Sequence, residues 1–110
     1  MGDRNAQAVR IPPALAAQAT ARVLELLGEP PGRVLELGFA GIHALPLRLA
    51  GFEVEVLDDD PRAVERAGAV IAAPRGRYDA VVAPADAALG GIEAARVVLV
   101  GRDGAAYMAE

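Results

Sequence analysis

A chain of 110 residues with a net charge of −4 and 54% hydrophobic residues has the length of one domain and the apolar content for one core. It contains no cysteine, lysine or serine, which excludes disulfides, thiolate metal sites, Schiff bases, a P-loop lysine and serine or cysteine nucleophiles. All 11 cations are arginine and form no basic run, and His43 is the only histidine, so neither nucleic-acid binding nor a histidine-rich metal site is expected.

In chain order, residues 1–10 read as a flexible tail and residues 11–110 as a single domain. Ile11-Pro12-Pro13 opens a helix, since proline suits a first helical turn, and Leu15, Val23, Leu24 and Leu27 share one face of it. Gly28 and Pro30-Pro31-Gly32 end that helix. Arg33 to Leu37 (RVLEL) is the first strand and Gly38 to Gly41 its loop. The helix that follows runs to Ala50 and must start late or kink, because Pro46 cannot donate in a helix interior.

Phe52 to Leu57 alternates as a second strand. Asp58-Asp59-Asp60-Pro61 then starts a helix, with Asp60 the best N-cap, and the helix reaches about Ala67. Ala69 to Ala73, Tyr78 to Ala83 and Arg96 to Val100 are predicted strands, and Ala85 to Ala95 a short, glycine-interrupted helix. A turn at Asp103-Gly104 allows Ala105 to Met108 to fold back as a further strand. Continuous apolar runs such as VVLV, separated by helix-length connections, predict an α/β fold: a three-layer, doubly wound, mainly parallel sheet of about five strands with helices on both faces.

Ligands of such sheets sit beyond the carboxyl ends of the strands, at the switch point of strand order. That places the Gly38–Gly41 loop beside Asp58, which lies 20 residues after Gly38 and can accept both hydroxyls of a ribose or simply begin the next helix. Glu36, an acid on a strand covered from both sides, needs a partner, a ligand or a wet strand end. His43 at the start of the next helix is a candidate general base, with local capping or packing the more frequent role for such a residue. Tyr78 reads as a half-buried packing residue, and Tyr107 and Met108 as a patch closing the last edge.

The stretch PPGRVLELGFAGIHALPLRLAGFEVEVLDDDPRAVERA resembles the first half of the S-adenosylmethionine-dependent methyltransferases of the Rossmann-like type. Their pattern is hydrophobic-acid-hydrophobic-Gly-x-Gly-x-Gly, a helix, and a second strand ending in an acid. Glu36, Gly38 and Asp58 fall on those positions, RYDAVVAP and ARVVLVGRDG resemble the fourth and fifth strands, and the similarity runs from about residue 14 to 104. The resemblance implies S-adenosylmethionine as cofactor, held by Glu36, Gly38, Ala40, Gly41 and Asp58, with the methionine moiety near Gly38 and the ribose on Asp58. It also implies methyl transfer to an unidentified small molecule, a reaction that needs no protein nucleophile.

The chain departs from the family at Ala40 and Ile42, where the second and third glycines would stand, and is expected to lack the family's C-terminal antiparallel hairpin. Two other readings therefore stand beside the first: an inactive Rossmann-like binding or assembly module, and a dinucleotide (NAD-type) binding domain. No apolar run approaches the ~20 residues of a membrane span and the N-terminus lacks a signal core, so a cytoplasmic protein without membrane contact is expected. RVVLV would leave an apolar edge, to be covered by the tail or by a second copy, and a homodimer through that edge or the C-terminal tail is the expectation.

Overall fold

Proline and glycine set most of the element boundaries. In the computed structural model, which describes residues 13–109, helix α1 spans Pro13–Leu27, strand β1 Arg33–Leu37, α2 Ala44–Ala50, β2 Glu53–Leu57, α3 Pro61–Ala67, β3 Arg77–Pro84, β4 Glu93–Val100 and β5 Ala106–Met108. The expected tail at residues 1–10, and Ile11-Pro12, lie outside the described residues. Pro46 falls in the first turn of α2, where its missing N–H costs nothing, so the helix starts late and does not need to kink. Asp60 caps α3 by accepting from Arg62 N at 2.9 Å, with Pro61 next.

The strands form one sheet in the order β2-β1-β3-β4-β5, the first four parallel and β5 antiparallel to β4. This α/β arrangement is compatible with a Rossmann-like layout. The chain moves outward from β1 to β2 and returns to the other side of β1 as β3, so the switch point lies between the carboxyl ends of β1 and β3.

Alternation on the strands sorts the core. Val34, Val54, Val56, Ala80, Val82, Val98 and Val100 face Ala19, Val23 and Leu27 of α1, Ala44 and Leu47 of α2, and Ala63 and Ala67 of α3. The opposite face, with Leu35, Leu37, Val81 and Ala83, is covered by Ile71, Ala87, Leu89 and Ile92 from irregular segments. The expected third layer of helix is therefore not formed, and all three described helices pack on one face.

Two expected elements fail for identifiable reasons. The Ala85–Ala95 helix is replaced by turns, and β4 begins earlier, at Glu93. Gly90 and Gly91 (φ +82°) interrupt it, and β3 and β4 leave only residues 85–92 to connect them, short for a helical crossover. The expected strand Ala69–Ala73 touches β2 through one bond, Ile71 N donating to Val56 O at 2.8 Å. The next outward carbonyl of β2, Val54 O, accepts from Arg48 Nη2 at 2.9 Å, while Arg48 Nη1 donates to Ala67 O. Arg48 thus ties α2, α3 and the edge of β2 together and occupies an acceptor that a neighbouring strand would use. RYDAVVAP and RVVLV are accordingly the third and fourth strands, not the fourth and fifth.

At the other edge the tail covers RVVLV. Gly101 N donates to Ala105 O at 2.9 Å across the Asp103-Gly104 turn, β5 pairs with β4, and Ala109 N donates to Val97 O at 2.8 Å. The edge that suggested a second copy is paired within the chain.

Candidate functional site

Beyond Leu37 the backbone turns through Gly38 (φ +74°), Ala40 (φ +53°) and Gly41 (φ +79°) before α2 begins. Ala40 in the left-handed region is unusual for a residue with a Cβ. It is held there from both sides: its N–H donates to Asp58 Oδ2 at 2.9 Å and its carbonyl accepts from Arg66 Nη1 at 3.3 Å. The other Asp58 oxygen accepts from Asp60 N at 2.9 Å. The loop and the acid that closes β2 therefore face each other in direct contact. An ionised carboxylate has about four acceptor positions. Among the described residues Asp58 accepts from these two backbone donors, and it is half-buried.

The glycines answer to the chain's own packing. A Cβ at Gly38 would stand 2.7 Å from Pro84 Cγ, so the Pro84 ring lies against it at the switch point. A Cβ at Gly41 would stand 3.2 Å from Ala63 O. Ile42 is half-buried against the helical core and does not separate the loop from Asp58.

Glu36 and His43 lie beneath the loop, both fully buried. Glu36 Oε2 accepts from His43 N at 3.2 Å, and Oε1 has no hydrogen-bond partner among the described residues. Burial is the largest influence on this carboxyl and pushes it up to about 7; the bond from His43 N and the Arg66 and Arg48 charges oppose that, while Asp58 reinforces it. His43 Nδ1 lies 2.8 Å from Thr20 Oγ1, its ring meets Phe39 edge-on at 5.0 Å between centroids, and Nε2 has no partner among the described residues. Burial pushes His43 down to about 4. His43 is thus a neutral ring enclosed in the core, with Thr20 on one side and Phe39 on another.

Of the sequence-selected residues, Ala40 and Asp58 meet directly, Glu36 and His43 form a buried pair under them, and Gly38 and Gly41 shape the turn. Thr20, Arg66 and Pro84 complete the arrangement and were not singled out from sequence. Thr20 carried a signal, because Thr20, Val23, Leu24 and Leu27 follow the spacing of one helix face. Pro84 carried none, since its place over Gly38 depends on β3 pairing with β1.

A cavity of about 230 Å³ opens at the carboxyl ends of β3 and β4, lined by Pro84, Ala85, Asp86, Val100, Gly101 and Arg102. Another of about 250 Å³ lies at the opposite, amino ends of the strands, between Leu27, Val34, Phe52, Asp79 and Arg96. Each is below the ~300–1,000 Å³ common for drug-sized ligands, and neither is lined by Asp58 or the Gly38–Gly41 loop.

On the Asp58 side, the carboxylate is partly exposed and held by Ala40 N and Asp60 N among the described residues. On the glycine side, Pro84 and Ala63 fill the spaces that the missing side chains leave. Fold and loop together define an α/β chain, compatible with a Rossmann-like layout, whose glycine-bearing turn is met by an acid at the end of β2. Comparison with known proteins adds no closer kinship: no family model, curated protein or solved structure matches this chain. Among the described residues no helix is long and apolar enough to cross a membrane.

Proposed function

We propose that this chain is an S-adenosylmethionine-binding, methyltransferase-like protein that seats the ribose on Asp58. The observation that carries this reading is the partly exposed Asp58 carboxylate, oriented by Ala40 N and Asp60 N beside the turn, a group whose chemistry suits a ribose diol. Glu36, Gly38, Ala40 and Gly41 shape and support that turn. When bound, the cofactor supplies an electrophilic methyl group, so the protein needs to position and shield the reactants and needs no nucleophile of its own. With His43 sealed, the chain contributes positioning and not proton transfer. The methyl acceptor is an unidentified small molecule.

A second reading is favoured by a specific observation. Pro84 and Ala63 fill the glycine spaces, which suits a binding or assembly module that has kept the fold and lost the cofactor.

Thermal unfolding with S-adenosylmethionine, S-adenosylhomocysteine and NAD in turn separates the readings. A ligand present at about 100 times its Kd adds about 2.7 kcal/mol. The expected result is a shift with the two sulfur nucleosides, absent in Asp58→Ala when each variant is compared with its own ligand-free melt. A shift with NAD alone points to a dinucleotide binder, and no shift with any of them to the assembly module.

A further inference from the structure

The cavity of about 250 Å³ at the amino ends of the strands lies at the opposite end of the sheet from Asp58. Its floor is apolar, with Leu27, Val34 and Phe52 all buried. Its rim is charged: Asp79 and Glu29 supply carboxylates and Arg96 a guanidinium. The sheet is irregular at this level. Pairing of β3 with β4 skips Asp79 and Ala95. Tyr78 packs on one face and Ala80 on the other, although residues two apart in a regular strand share a face. Such departures from the pleat re-aim side chains, and both skipped residues line the cavity.

Both main charges are tied to the backbone. Asp79 Oδ2 accepts from Arg33 N at 2.7 Å, and Arg96 Nη1 donates to Leu27 O at 2.8 Å, at the end of α1. Among the described residues no ion pair joins either of them to another side chain. Two opposite charges therefore stand on one rim above an apolar floor. A guanidinium carries five donors, so Arg96 can meet a carboxylate while Nη1 holds the helix end, and charge-assisted bonds of this kind are stronger than neutral ones. A ligand with a single charge would take water from both groups and repay only one. We infer that this cavity binds a small zwitterion, an α-amino acid with an apolar side chain, its ammonium on Asp79, its carboxylate on Arg96 and its side chain over Phe52. Glu29 adds to the negative side of the rim and favours the ammonium end. The site is independent of the nucleoside reading at Asp58.

Nuclear magnetic resonance of the whole chain at neutral pH tests it with three probes at matched concentration: L-valine, isobutylamine, which lacks the carboxylate, and isovalerate, which lacks the ammonium. With L-valine the expected result is saturable shifts of the amides of Gly32, Phe52, Ala80 and Ala95, while those of Gly38, Ala40 and Gly41 stay still. Either analogue should bind more weakly by about tenfold or more. In Asp79→Asn, which keeps an acceptor for Arg33 N, L-valine should also lose about tenfold or more. No shift with L-valine, an analogue that binds as tightly, or shifts confined to the turn 38–41 would overturn the site, as would unchanged affinity in Asp79→Asn. If that variant does not fold, the three probes on the wild-type chain decide alone.

Discussion

Glu36 and His43 make opposite demands on pH. Glu36 titrates at about 7 in the fold against an ordinary 4.5, so its contribution is full below 4.5 and is lost as pH rises through 7. His43 is lowered from 6.5 to about 4, so its contribution is full above 6.5 and is lost as pH falls through 4. At about 1.4 kcal/mol per pKa unit, each is on the order of 3 kcal/mol. Between about pH 4.5 and 6.5 the two slopes oppose each other. Denaturant titrations across that window should find Glu36→Gln gaining stability as pH rises and His43→Leu losing it, and parallel curves for the two variants would refute the assignment. Gly38 makes a steric claim at the same scale. Gly38→Ala combines a left-handed φ with a Cβ 2.7 Å from Pro84, and a loss of about 2 kcal/mol or more is expected. Adding Pro84→Ala should recover the steric part and leave the backbone part, a non-additivity that a double-mutant cycle measures.

Arg48 acts at the scale of elements, bonding Val54 O of β2 and Ala67 O at the end of α3. Arg48→Ala should cost about 1–3 kcal/mol and uncover the β2 edge, seen as lowered stability together with self-association in light scattering. A comparable tie joins β1, β2 and β3. Arg33 lies over the Tyr78 ring at 4.3 Å and bonds Glu55 at 3.1 Å, while Tyr78 OH donates to Glu55 at 2.6 Å and accepts from Arg75 N at 2.9 Å. Tyr78 is thus a buried hydrogen-bonding residue as well as a packing one, and burial followed by the Glu55 bond pushes its hydroxyl above the usual tyrosine range. The strands RVLEL, FEVEVL and YDAVV were legible because alternation and apolar runs are local properties. AVIAA reads as a strand on the same local grounds, but its neighbour's acceptor is taken by Arg48, a residue 21 positions earlier.

For the whole molecule, the sheet has one face under three helices and one under irregular segments, with β5 closing the β4 edge. A chain truncated after Arg102 would leave VVLV as an unpaired apolar edge. Gel filtration should then show it self-associating at concentrations where the full chain elutes unchanged, and identical elution of the two would mean that β5 does not protect the edge.

The sequence by itself determined the α/β class, the first two strands and their helices, the Asp60 cap and the nearness of the turn to Asp58. These follow from periodicity, from proline and glycine at boundaries, and from the rule that parallel strands deliver their loops to one end of a sheet. Only the tertiary structure decided that all three described helices share one face, that Pro84 fills the space beside Gly38, and that Glu36 and His43 are sealed together. Each of those depends on which strand lies next to which, and burial of a polar group is a property of its neighbours in space and not of its neighbours in the chain.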